Sequence, residues 1–457
     1  MSTVQNDLTT APVAELVRRL TIPASLGFFF NTMYNVVDTY FAGQLSTTAL
    51  AALSLSFPVF FMLLSLGIGF SSGSGALIGN ALGTGDRTKA STYASQGLIM
   101  SSLLTLVVVS LGFLSVKSLF QFLGAEGQYL KICTDYMYVI LAGAGFPLAG
   151  YMFNAILNAQ GDMKSYRNFL IGATLLNIGL DPWFMFGGFG VPAMGIKGLA
   201  LATLVAQFLG LLYMGARARQ TKLLYRSEGA IWRPQKAVLK EIWAQGMPAS
   251  LNMMTVALGI FIITWFLSRF SENAVAAYGV ATRIEQIVLM PAIGLNAATM
   301  SLVAQNGGAR LFGRVYAIVR SALTYGAMAT ALGGVVLWFG GEFLMKLFTK
   351  DANVVSIGAH YLQIAAFIQY AYILLFVNTS ALQGMKKPAF SLWIGLYRQL
   401  VAPALAFWFT TEVLKWGVDG VWWSVFGVTW SAAVISVWWA HRLIKQLERA
   451  EAVAHGG

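Results

Sequence analysis

Two carboxylates stand in stretches otherwise too apolar to carry charge. Asp38 closes a long apolar run that begins near Leu16, and Tyr34 precedes it by one helical turn on the same face. Asp181 ends another such run, with Asn177 one turn before it and Pro182 directly after it. A carboxylate at mid-membrane costs about 2.5–3.5 kcal/mol even on the gentlest insertion scale. Such a group faces a cavity or a partner, and two of them in one poorly hydrated cavity repel each other. One is then poised to hold and release a proton, while the ionised pair attracts an organic cation. Pro182 is expected to kink its helix and free backbone carbonyls beside the acid. The competing reading, two helix-end acids wetted by headgroups, weakens because both fall at similar depth in one half of the chain.

The elements that position these groups are membrane helices. Of the 457 residues 57% are hydrophobic and only 11% charged, far below the roughly 25% of a soluble domain. The net charge of +12 is spread over loops rather than gathered in a stripe, so no nucleic-acid partner is expected. The lone Cys133 excludes an intrachain disulfide. His360, His441 and His455 lack metal-ligand spacing. Gly83-Thr-Gly85-Asp-Arg87 is Gly-rich but lacks the strand and the Lys-Ser/Thr of a phosphate-binding loop, so it reads as a turn and ATP is not implied. No His accompanies the acids in a nucleophile–base arrangement. The chain is read as a non-enzyme without a cofactor, and Met1 to Ala14 does not resemble a cleaved signal peptide.

Run length and loop punctuation predict twelve spans, near 16–42, 49–80, 91–119, 129–158, 166–187, 196–216, 242–269, 274–304, 315–345, 354–383, 388–413 and 418–445. Placing the N-terminus in the cytoplasm puts most of the 30 Lys and Arg on inner loops, including the basic stretch from Arg217 to Lys240. The positive-inside rule therefore places both termini in the cytoplasm of a multi-pass protein of the plasma (inner) membrane. The chain also repeats itself. Ile22-Pro23-Ala-Ser-Leu recurs as Met247-Pro248-Ala-Ser-Leu, an offset of 225, and Gly69 matches Gly294 at the same offset. Gln160-Gly161 and Gly195-Ile-Lys-Gly198 likewise echo Gln383-Gly384 and Gly417-Val-Asp-Gly420. Six helices are duplicated in parallel, related by a pseudo-two-fold axis along the membrane normal. The expected domains are an N-terminal lobe 1–216, a cytoplasmic linker 217–241, and a C-terminal lobe with its tail, 242–457. Substrate is expected between the halves, with alternating access.

The halves differ in polar content. Ile263 stands at the position matching Asp38, and no acid lies between Trp243 and Arg269 or between Tyr361 and Gln383. Arg283, Glu285, Arg398 and Gln399 lie well inside the second-half spans and are read first as internal structural pairs. Asp135 is read as a solvated group near a helix end.

The two Pro-Ala-Ser-Leu entries form a conjunction with Asn35-Val-Val-Asp38-Thr-Tyr-Phe41-Ala-Gly43, Ala155-Ile-Leu-Asn-Ala159-Gln-Gly161-Asp, Asn177-Ile-Gly-Leu-Asp181-Pro182 and Val303-Ala-Gln305-Asn306-Gly-Gly308-Ala. Over nearly the whole chain this resembles the multidrug and toxic compound extrusion (MATE) family. The acids in spans one and five and an acid-free span seven resemble its damage-inducible (DinF-like) branch. The chain departs from the branch known for sodium coupling, which places its acids in the second lobe. The resemblance implies a V-shaped transporter of two six-helix lobes around a central cavity, a monomer in the bilayer that exports hydrophobic, often cationic drugs in exchange for a cation. It also implies a network of Tyr34, Asp38, Tyr136, Asn154, Asn177, Asp181 and Thr203. Each type suits that role, since the tyrosines offer a hydroxyl and a ring face, and the amides and Thr203 can donate to an ionised carboxylate. Tyr34 and Tyr136 also suit an interfacial aromatic belt, and Thr203 a small residue at a helix contact. H+ is the favoured coupling ion, Na+ the alternative. A lipid-linked substrate flippase stays open as another function, although only Arg283 and Arg398 would serve its phosphates.

Overall fold

The structure is a computed structural model that describes residues 7–224 and 232–456, apart from the side chains of 7, 452 and 454–456. Part of the linker, 225–231, and the side chain of His455 lie outside the described residues. The described residues are mostly helical and hold no strand beyond one bridge between Gly188 and Val191. A short α1 (Asp7–Thr10) leads into α2 (Val13–Leu45), α3 (Thr47–Gly83) and α4 (Arg87–Phe122). The fourth expected span is two helices, α5 (Gly127–Ala142) and α6 (Gly145–Asn158), bent by 45° at Gly143 and Ala144. α7 (Met163–Phe186) and α8 (Ile196–Gln220) complete the first half.

The second half opens with α9 (Lys236–Ser268). Its next span is again a bent pair, α10 (Glu272–Val288) and α11 (Met290–Gly308), at 48°. Pro291 at the start of α11 has no N–H to continue the ladder, which accounts for the break. α12 (Phe312–Lys346) and α13 (Ala352–Gly384) follow. The eleventh span is α14 (Ala389–Leu396) and α15 (Ala402–Trp408), with π-helical turns at Tyr397–Val401 and Phe409–Val413, before α16 (Val418–Gly456). Helix therefore occupies all twelve expected spans.

Nine of the described helices are long and apolar enough to cross a membrane, eleven spans if each bent pair counts as one. α2 has the length, 33 residues, but Asn31, Thr32, Asn35 and Asp38 interrupt its apolar character. Helix starts are set by local chemistry. Gly83-Thr-Gly85-Asp86 is the turn expected, with Gly85 at φ +78° and Asp86 capping α4 through the Lys89 amide at 2.8 Å. Asp162 caps α7 through the Ser165 amide at 3.0 Å. Pro23 and Pro182 both lie inside unbroken helices, so the helix carrying Asp181 continues to Phe186.

The residues pack into two compact units. One takes Leu26–Leu82 and Asp86–Ser250, the other the described residues of Met1–Ser25, Gly83–Gly85 and Leu251–Gly457. These limits differ from the expected division at 217–241. The chain passes between units inside α2 and inside α9, at positions 225 apart, because the first turns of each helix pack with the opposite half of the sequence. In one unit Asn306 donates to the Leu8 carbonyl at 3.0 Å, and a Cβ on Gly294 would fall 2.7 Å from the Ser25 amide nitrogen. In the other, Gln96 donates to the Arg233 carbonyl at 2.7 Å, Tyr93 donates to Glu241, and a Cβ on Gly73 would fall 2.6 Å from the Gly246 nitrogen. Within the first-half unit α8 packs on α5, α6 and α7, and in the other α10, α11, α12 and α16 surround α13.

Candidate functional site

Asp38 and Asp181 come together inside the first-half unit, carried by α2 and α7. The Thr174 hydroxyl helps fix the two helices by donating to the Phe30 carbonyl at 3.0 Å. Tyr34 packs with Ala173 of α7 and Ala206 of α8, so three helices close around the acids. Asp38 is buried and accepts from Asn177 Nδ2 at 2.7 Å and from the Thr203 hydroxyl at 3.5 Å. The shorter bond has the length expected of a charge-assisted contact. Asp181, one turn after Asn177, is completely buried, and neither of its carboxylate oxygens has a donor. Its carboxyl lies within hydrogen-bonding range of Asp38. Two ionised carboxylates have no proton to share, so the contact is unmade until one is protonated.

The other expected residues divide. Tyr34 is buried, its hydroxyl beside Thr203 and Asn177 but without a well-formed hydrogen bond. Tyr136 of α5 is buried within electrostatic reach of both acids. Both rings are therefore buried rather than set in an exposed interfacial belt, and only the Tyr34 hydroxyl lies beside the residues that bond Asp38. Asn154 of α6 is buried, but no hydrogen bond joins it to either carboxylate, and its Oδ1 has no partner. Asp135 is not simply solvated, since Lys197 pairs with it at 3.3 Å.

Beside the acids lies a cleft that the sequence only partly revealed. Tyr34 and Thr203 line it together with Asn31, Asn35, Phe60, Tyr151, Tyr166 and Gln207. Asn31 and Asn35 were visible in the Asp38 stretch, and Gln207 follows Thr203 by one turn. Nothing in the sequence marked Tyr151 and Tyr166, whose rings approach to 6.4 Å only because α6 and α7 pack side by side. The wall is mixed aromatic and amide, with carboxylates behind it.

The second-half unit holds its own buried carboxylate. Glu285 of α10 accepts from the Tyr361 hydroxyl at 2.9 Å and from Gln369 Nε2 at 3.2 Å. Arg398 lies over the Tyr372 ring at 5.4 Å and acts on Glu285 only through space. The internal partnership expected of Glu285 is thus a hydrogen-bonded one with a Tyr and a Gln.

Comparison with known proteins bears on both halves. The MatE family model matches residues 23–183 and again 248–408, each pair of bounds 225 apart. The chain is 28% identical to an FAD transporter of Shewanella oneidensis, covering 86% of this chain and 87% of that one. It is 27% identical to the probable multidrug resistance protein YoeA of Bacillus subtilis, covering 81% of each. With the probable multidrug resistance protein NorM of Thermotoga maritima it shares 26%, over 81% of this chain and 79% of that one. Among solved structures, MATE in the bent conformation superposes with a TM-score of 0.92 at 24% identity, over 99% of this chain and 100% of the other. A MOP superfamily transporter from Pyrococcus furiosus gives 0.91 at 24%, over 98% and 99%. With both repeats matched over most of its length, the chain belongs to the MatE family.

Proposed function

We propose that the protein is a secondary multidrug exporter that exchanges hydrophobic, often cationic compounds for protons by alternating access, with Asp38 and Asp181 as the coupling pair. The observation that carries this reading is the buried approach of Asp38 to Asp181, whose own carboxylate oxygens have no donor. One proton turns that repulsion into an O–H···O bond and halves the negative charge of the pair, which weakens its hold on a cation in the adjoining cleft. Proton and drug then compete for one site. With both termini in the cytoplasm, a proton entering from outside displaces the drug outward, and its loss inside restores the ionised pair. The multidrug names of the Bacillus and Thermotoga relatives support drug export, and the Shewanella name adds a dinucleotide to the cargo considered below.

A second reading puts Na+ in place of the proton. Asn177 Oδ1, the Tyr34 hydroxyl and both Asp181 oxygens are buried without partners, and oxygen donors suit a hard cation. Drug accumulation in everted vesicles separates the two. In sodium-free buffer, proton coupling predicts accumulation that a protonophore abolishes. Accumulation that needs sodium and resists the protonophore overturns the proton assignment.

A further inference from the structure

Arg283 is a charge that the proposed cycle does not use. It lies eleven positions into α10, about 16 Å along the axis at 1.5 Å per residue, in the interior of a span rather than at its end. Its side chain is exposed, and among the described residues no hydrogen bond or ion pair holds it. Glu285, two positions on, points to the opposite face and is occupied by Tyr361 and Gln369. An arginine at this depth in contact with lipid is costly, so its surroundings need to be identified.

The helix face supplies the answer. The exposed stripe of α10 runs Glu272, Ala276, Gly279, Arg283, Gln286, at the three- and four-residue steps of one helical face. Only at Ile287 does it meet a large apolar side chain. The exposed stripe of α12 in the same unit also follows three- and four-residue steps but reads Met328, Leu332, Val335, Phe339, Phe343, as a lipid-facing surface does. The α10 stripe is therefore a wet face, and Arg283 with Gln286 one turn away presents a fork of donors to it. The matching stripe of α3, 225 positions earlier, repeats the small residues as Ala51 and Ser54 but has Pro58 in place of the arginine. The cationic group belongs to one half, as the acid pair belongs to the other.

We propose that Arg283, assisted by Gln286, binds the oxyanion of an amphiphilic small-molecule substrate, a phosphate or carboxylate carried on an aromatic body, so that the exporter also moves organic anions. Charge complementarity selects the class, because a guanidinium without an ion-pair partner presents paired N–H donors that match a phosphate or carboxylate bidentately. The inference deepens the export reading and relies on it only for transport itself.

The test uses FAD as an anionic probe and ethidium as a cationic one, in everted vesicles and in neutral-lipid proteoliposomes. Wild type is expected to accumulate both. Arg283→Ala should cut the initial FAD rate tenfold or more, Arg283→Lys should retain part of it, and ethidium should stay within twofold, which also certifies folding. Arg283→Cys in a Cys133→Ala background should react with a membrane-impermeant thiol reagent. Ethidium transport by wild type without FAD transport overturns the inference and leaves the export reading intact. Loss of ethidium transport in wild type overturns the export reading instead. FAD transport indifferent to Arg283→Ala, or an unreactive thiol, also overturns the inference. If the Arg283→Ala defect appears only in anionic-lipid vesicles and vanishes in neutral ones, the group serves a lipid headgroup, and the substrate role is wrong.

Discussion

At the scale of single residues, the account turns on what titrates and what merely bonds. Asp38→Asn keeps the size and much of the bonding of the side chain but cannot exchange a proton. It is expected to abolish coupled efflux while membrane expression stays normal, and near-normal drug resistance in cells carrying it would contradict the role assigned. Asn177→Ala removes the 2.7 Å donor to Asp38. A hydrogen bond to a charged group contributes about 1.5–3 kcal/mol, so the variant should transport at a several-fold lower rate, read as initial efflux of ethidium. These residues were legible in sequence because Tyr34 and Asp38, and Asn177 and Asp181, repeat at one helical turn. The position of Asn154 was not, since the side-by-side packing of α6 decides whether its amide reaches the acids, and periodicity carries no such information.

At the scale of elements, the start of each half is held by a buried amide. Asn306 grips the Leu8 carbonyl and accepts from Arg314 Nε at 3.0 Å, while Arg314 donates to the Ala11 carbonyl at 2.8 Å. Asn306→Ala should lower the unfolding midpoint in detergent, with a loss of about 1–3 kcal/mol for the buried groups left unpaired. An unchanged midpoint would mean that α1 contributes nothing to the fold. The Gln305-Asn306-Gly-Gly stretch stood out in the sequence without its reason, which lies in a partner about three hundred residues away. The break between α10 and α11 had a local signal in Pro291, but run length alone merged the pair into one span. α2 carries Asp38 beyond Pro23, whose missing N–H weakens the ladder there. We expect protonation of the pair to shift that outer part of α2 and narrow the cleft beside Tyr34. Structures at low and high pH with α2 and the cleft unchanged would rule out the movement, though competition at the carboxylates could survive.

At the scale of the whole molecule, duplication explains the architecture and divergence the chemistry. Spacings of 225 recur in the Pro-Ala-Ser-Leu entries, in the glycines of α3 and α11, and in the points where the chain passes between units. The repeat itself could be read from the sequence, but the exchange of helix starts could not, because it depends on contacts such as Gly73 with Gly246. Within this frame the paired acids lie in one half, while Glu285 and Arg283 lie in the other. Coupling is therefore expected to be a property of the first half, and Glu285→Gln should alter stability or substrate range rather than proton exchange. Because coupling through differential affinity is reciprocal, drug binding should expel protons from the carboxylates by the same factor that acid weakens drug binding. The most direct measurement is proton release on drug addition to the detergent-solubilised protein. The account predicts release from wild type and from Glu285→Gln, and none from the Asp38→Asn/Asp181→Asn double variant. Release that persists in the double variant and disappears in Glu285→Gln would contradict it.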